Sequence, residues 1–219
     1  VVGRDRFLAG EMAVRKMGCN VLVLDDGFQH LRLRRDLDIV LVDSTNPFGN
    51  LRTIPAGILR EPLKGLSRAD LLLLTRTDQG RNLSELRAFL REINPRVPIL
   101  EAVHKPLSLS SLQGGESEGI EFARAKRVVA LSSLGNPGSF ERTLEDMGSF
   151  LVRRVRFPDL DYVGGVFRNL GADFIATTEK DGVRLKGLEP PLPIFMLKIR
   201  IEVVSGMDSL TELLESRVR

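Results

Sequence analysis

A single cysteine, Cys19, is the only thiol in 219 residues. An internal disulfide is therefore excluded, and the chain suits a reducing compartment. Cys19 itself reads as a small residue buried at a helix-to-strand turn. Long hydrophobic runs are missing too. The leucines at 71–74 are flanked by Asp70 and Thr75, far short of the ~18 apolar residues that span a bilayer. No secretory signal pattern is visible. Charge of one sign is not gathered anywhere: 32 basic residues interleave with 29 acidic ones for a net +3. A nucleic-acid binder collects its cations into a patch or stripe, so no nucleic-acid partner is expected. Pairs such as Arg34-Arg35 and Arg153-Arg154 suit a solvated face or anionic lipid headgroups. Repeats and low-complexity tracts are also absent. With 42% hydrophobic residues, the chain can bury one good core or two small ones.

What is present centres on VLVLDDGFQH, residues 21–30. Four apolar residues in a row predict a strand buried on both faces of a parallel sheet. In open α/β sheets, ligands sit beyond the carboxyl ends of the strands. Asp25 and Asp26 would stand at that rim, in the manner of the acidic motif that works with the nucleotide-bound metal in P-loop NTPases. An Asp ending a strand also serves as a turn former or helix cap. Gly27, Gln29 and His30 add a tight exit, an amide and an imidazole within the same few residues.

Along the chain, Val1-Val2 read as the tail of a strand. An amphipathic helix follows, with Phe7, Leu8, Met12, Ala13 and Met17 in phase and Gly18 as its cap. Residues 37–43 and 71–75 predict two more parallel strands, 84–93 a helix with Leu86, Phe89, Leu90 and Ile93 inward, and 97–104 another strand. Alternation of this kind argues for a doubly wound sheet. Pro55 and Gly57 make a rigid turn in IPAGILREPL (residues 54–63), and Pro62 opens a short helix. Arg60 and Glu61 thus sit at a helix entrance. An Arg repels the positive dipole end unless it faces an anion such as phosphate; the alternative is an exposed Arg paired with Asp26 or Glu61.

Residues 105–126, rich in Ser, Gly and Glu, predict a linker. Beyond it, 127–219 read as a smaller α/β domain. Its strands lie at 127–135, ending in a Gly-rich turn, and at 150–159, 173–181 and 194–204; its helices run from Pro137 to the cap Gly148, weakly over 161–171, and over 208–218. The expected organisation is therefore 1–104 as nucleotide-binding core, 105–126 as linker and 127–219 as second domain, with the last helix able to return to the core. Lys180 and Asp181 either reach substrate or cap the helix after them, and capping is the favoured reading.

DDGFQH, RRDLDIVLVD, NPFGN, IPAGILREPL and RADLLLLTR occur in this order, followed by LSSLGNPGSFERTLEDMG, RFPD and TTEKDGVRL. Together they resemble the tetraacyldisaccharide 4'-kinases of lipid A synthesis, over nearly the whole chain. The resemblance implies a P-loop-NTPase-like, mostly parallel α/β sheet flanked by helices, with a second, smaller α/β domain. It implies transfer of the γ-phosphoryl of ATP, with Mg2+, to the 4'-hydroxyl of an acylated glucosamine disaccharide 1-phosphate lipid. The expected enzyme is a monomer in peripheral contact with the cytoplasmic face of the inner membrane. Implied roles are metal holding by Asp25 and Asp26, cofactor binding by Asp25 and Gln29, and catalysis by Asp26, His30, Arg60, Glu61 and Arg6. Asp5 matches a charged pair with Arg6, although a helix-start Asp explains it equally; Lys180 is a further substrate candidate. Two departures stand out. No glycine-rich loop ending in Gly-Lys-Ser/Thr occurs in the 219 residues, so the chain is expected to be a family member lacking its N-terminal part and not to turn over. Leu160 follows RFPD where the family has a histidine. The alternatives are a noncatalytic partner-binding module and an acylated-sugar-binding module.

Overall fold

The structure, a computed structural model, describes residues 1–156, 171–187 and 191–218. The chain forms an α/β fold of mostly parallel strands flanked by helices, divided into two compact units. One comprises Val1–Val103 with Val203–Arg219, the other His104–Glu202.

In the first unit, Asp5 accepts hydrogen bonds from the amides of Phe7 and Leu8, and so starts helix α1, Arg6–Met17. Gly18, at φ 68°, ends it, a left-handed conformation that glycine adopts without a Cβ penalty. Strands β1 (Ile39–Asp43) and β2 (Leu71–Thr75) run parallel, from Ile39 opposite Leu71 to Asp43 opposite Thr75. A 3-10 helix over Leu63–Arg68 precedes β2, and helix α2 (Leu83–Ile93) follows it. β2 then pairs in parallel with β3 (Ile99–Ser111) through Leu72–Ile99 and Leu74–Glu101. The core gathers Val42, Phe48, Leu72, Leu74, Leu86 and Leu90. Leu86 and Leu90 lie one turn apart on α2, which is why they face the sheet together. Helix α5, Met207–Arg217, also belongs to this unit.

The second unit holds the rest of β3, a two-residue strand β4 (Ser117–Glu118) and a 3-10 helix at Ile120–Ala123. Then come β5 (Arg127–Ser132), α3 (Pro137–Asp146), β6 (Phe150–Arg156), β7 (Phe174–Thr178), α4 (Glu179–Leu185) and β8 (Ile194–Ser205), whose last three residues belong to the first unit. β5 is parallel to both β6 and β7, and β7 to β8. Val128, Ala130, Phe174 and Ala176 pack with Phe140 and Leu144 of α3, whereas Val129, Leu131 and Ile175 pack with Leu185 of α4. Burial on both faces explains why these strands are continuously apolar.

Four expectations are corrected. Residues 21–24 are not a strand, and Val23 is 94% exposed. An apolar run becomes a strand only where another strand satisfies its amides and carbonyls, and among the described residues none pairs with it. Val1-Val2 likewise form no strand and are exposed. Residues 105–126 are not a loose linker: β3 continues to Ser111, β4 pairs back on it, and Leu109 and Ala123 are fully buried. Composition reported only the exposed Gly114-Gly115 hairpin tip, at φ 94° and 111°. Finally, β7 ends at Thr178 instead of running on to Asp181, because Thr178 caps α4 by accepting from the Asp181 amide. The weak helix expected at 161–171 falls almost wholly outside the described residues, as do Asp159 and Leu160.

Candidate active site

Two turns meet in the first unit. The first is Asp25–His30, closed by the His30 amide donating to the Gly27 carbonyl at 2.9 Å. Asp26 adopts φ 55°, unusual for a side-chain-bearing residue though tolerated by Asp. Gly27 is required because a Cβ there would lie 2.8 Å from the Leu24 Cβ. Arg35 secures the following loop, donating to the carbonyls of His30 and Leu33 and doubly to Asp38. The hydrogen bond with Asp38 raises the Arg35 pKa above its ordinary value.

The second turn is Leu59–Leu63. Its approach is held by the Ile54 amide on the Leu59 carbonyl, and by the Asn50 side chain on the Ala56 carbonyl. Gly57 fits because a Cβ would fall 2.2 Å from the Arg52 carbonyl oxygen.

The turns are joined three times. Arg60 donates to the Asp26 carboxylate. Gln29 Nε2 donates to Glu61 Oε1 at 3.1 Å. Arg68 donates to both oxygens of Glu61, at 2.9 and 2.8 Å, while its guanidinium carbon lies 4.6 Å from the centre of the Phe28 ring. Beside this joint lies an apolar cleft of about 220 Å³, walled by Val42, Phe48, Leu59 and Leu63, with Gln29, Arg60 and Glu61 among its lining.

Asp25, Asp26, Gln29, Arg60 and Glu61 therefore share one neighbourhood. His30 is exposed on the same turn. Asp25 and Asp26 are adjacent solvated carboxylates, a donor set suited to magnesium, which typically takes one or two carboxylates and completes its shell with water and phosphate oxygens. Among the described residues no cluster of three or more His, Cys, Asp or Glu side chains forms a closed metal site. Asp5 is the cap of α1, and Arg6 is its half-buried first residue. Lys180 is exposed on α4 in the second unit. Its neighbour Asp181 is fully buried: it accepts from the Ser133 amide at 2.9 Å, the Thr178 hydroxyl at 3.0 Å and the Ser133 hydroxyl. Asp181 thus ties the end of β5 to the start of α4.

Sequence reasoning missed Arg68 and Gly65. Arg68 stands seven positions after Glu61, beyond the three- or four-residue spacing at which neighbouring helical side chains pair, and Gly65 looks like any loop glycine.

The sequence profile of the LpxK family, tetraacyldisaccharide-1-P 4'-kinase, matches residues 1–219. A tetraacyldisaccharide 4'-kinase of Anaeromyxobacter sp. (strain Fw109-5) is 40% identical over 225 residues, covering 98% of this chain and 60% of the relative. One from Syntrophus aciditrophicus (strain SB) is 36% identical, covering 93% of this chain and 59% of the relative. A crystal structure of LpxK from Aquifex aeolicus in complex with ATP superposes with a TM-score of 0.69 at 29% identity, covering 100% of this chain and 64% of that one. The chain thus spans about 60% of the length of these relatives. With the motif order, the α/β fold and the joined turns in agreement, this chain belongs to the tetraacyldisaccharide-1-P 4'-kinase family.

Proposed function

We propose that the protein to which this chain belongs transfers the γ-phosphoryl group of ATP to the 4'-hydroxyl of a tetraacyldisaccharide 1-phosphate, a step of lipid A synthesis. The observation that carries this reading is the joint between the two turns, where Asp26 meets Arg60 and Gln29 meets Glu61. Family membership supports the substrate class.

In the reaction, the 4'-oxygen bonds to the γ-phosphorus as the bond from that phosphorus to the bridging oxygen breaks. ADP leaves with the electron pair, and the hydroxyl proton passes to a base. Such transfers depend on positioning and on neutralising charge. Asp25 and Asp26 would hold Mg2+, one directly or through water and the other orienting the first, and the ion would supply neutralisation of phosphate charge. Arg60 turns from Asp26 toward the transferring group, and Gln29, His30 and Glu61 orient nucleotide and sugar hydroxyl. Arg6 supports the same region, next to Asp5, whose carboxylate caps α1.

Among the described residues no helix is long and apolar enough to cross a membrane. In the proposed reaction the lipid is met by a monomer in peripheral contact with the cytoplasmic face of the inner membrane, a reading supported by the lipid substrate of the family. The test is transfer of γ-labelled phosphate from ATP to tetraacyldisaccharide 1-phosphate in detergent micelles by the full-length protein. Labelled lipid is expected. Lipid binding without transfer would overturn the kinase reading in favour of an acylated-sugar-binding module.

A further inference from the structure

Arg68 was assigned no role by sequence, yet it touches both turns of the joint. Its guanidinium donates to both oxygens of Glu61 and lies over the Phe28 ring, and Glu61 in turn accepts from Gln29. Both hydrogen bonds come from one terminal nitrogen, Nη2, which bridges the two Glu61 oxygens and so keeps the carboxylate facing the guanidinium. Stacking on an aromatic face restrains the same group further.

A second observation is independent of the first. Gly65, buried in the 3-10 helix between the partners, leaves the space that the Glu61 carboxylate fills. A Cβ at position 65 would lie 2.5 Å from Glu61 Oε2 and 3.1 Å from Arg68 Nη1. Every atom approached too closely is the far end of a flexible side chain, so the backbone can stay while the carboxylate must move.

We propose that Arg68 is a positioning residue, which acts through Glu61 and Gln29 to hold the Asp25–His30 turn in its working geometry, with Gly65 as the seat that lets it do so. The proposal rests on the kinase reading for its effect on rate, but not for its effect on the turn. Lysine at 68 keeps the charge but lacks the planar group that lies over Phe28 while reaching Glu61, so it does not substitute.

The experiment uses the full-length protein and its Arg68→Gln, Arg68→Lys, Gly65→Ala, Glu61→Gln and Glu61→Gln/Arg68→Gln variants. Hydrogen exchange by mass spectrometry is expected to show faster exchange in peptides covering 25–31 for Arg68→Gln, Arg68→Lys and Gly65→Ala, at melting temperatures near wild type. In the kinase assay, kcat is expected to fall about 10–100-fold in those variants, the usual scale for groups that orient a site residue, with KM for ATP changed much less. Glu61→Gln/Arg68→Gln is expected to be no slower than Glu61→Gln alone, because Arg68 acts through that carboxylate. Unchanged exchange at 25–31, full rescue by Arg68→Lys, or additive losses in the double variant would each overturn the proposal. A wild-type protein with no transferase activity but with the predicted exchange pattern would refute the kinase reading and leave the positioning of the turn standing.

Discussion

Arg60 donates to the carboxylate of Asp26 across 34 positions of sequence, and both side chains are more than half exposed. An ion pair so open to water adds little to stability, well under about 1 kcal/mol. Arg60→Ala is therefore expected to leave thermal unfolding of the full-length protein almost unchanged while lowering kcat about 100-fold or more, the scale of losing one preorganised electrostatic group. Parallel melting curves and steady-state assays check this.

Asp26→Asn keeps the size and left-handed tolerance of the residue but removes its charge. Turnover by the full-length protein is expected to fall by at least about 100-fold, since a bound cation supplies several kcal/mol of transition-state stabilisation. Near-normal turnover would refute the metal role.

Asp181 is fully buried and serves three donors. In Asp181→Asn the amide nitrogen faces donors in place of an acceptor. The expected loss is about 1–3 kcal/mol, the cost of stranding buried hydrogen-bonding groups. Urea unfolding of the 219-residue chain measures it.

Leu90 is fully buried on the core-facing side of α2, whereas Val23 is almost fully exposed. Leu90→Ala is expected to cost about 2–5 kcal/mol in the 219-residue chain. Val23→Ser is expected to fall within about 0.5 kcal/mol of wild type. A large loss from Val23→Ser would restore the buried strand at 21–24.

The Glu202 carboxyl is held below its ordinary value by hydrogen bonds from Arg200 and then Lys105. Because its folded pKa is depressed, its contribution is present above the unfolded value and disappears as pH falls through the folded one. The stability difference between wild type and Glu202→Gln is therefore expected to be full at neutral pH, to shrink as pH falls below the unfolded value, and to vanish only below the depressed folded one. Unfolding midpoints at pH 7 and pH 3 test the sign.

Much of this was legible residue by residue. β2 occupies 71–75 as read from its leucines, because a strand covered on both faces must be apolar throughout. α2 was legible from the spacing of Leu86, Phe89, Leu90 and Ile93. Residues 21–24 carried the same apolar signal and misled, since apolarity reports a need for cover and not the presence of a pairing strand. The linker expected at 105–126 failed for the converse reason: Ser- and Gly-rich composition marked the hairpin tip but concealed Leu109 and Ala123, which anchor the segments either side of it.

The order of its motifs and the chemistry of DDGFQH and LREPL settled the family of this chain before any coordinates, because residue types and their succession are one-dimensional facts. Which carboxylate meets which guanidinium was decided only in three dimensions. Asp26 with Arg60, and Glu61 with Gln29 and Arg68, depend on two turns being carried together by the sheet and the 3-10 helix beside it. No local periodicity encodes contacts between side chains 32 and 34 positions apart; packing of the intervening chain does.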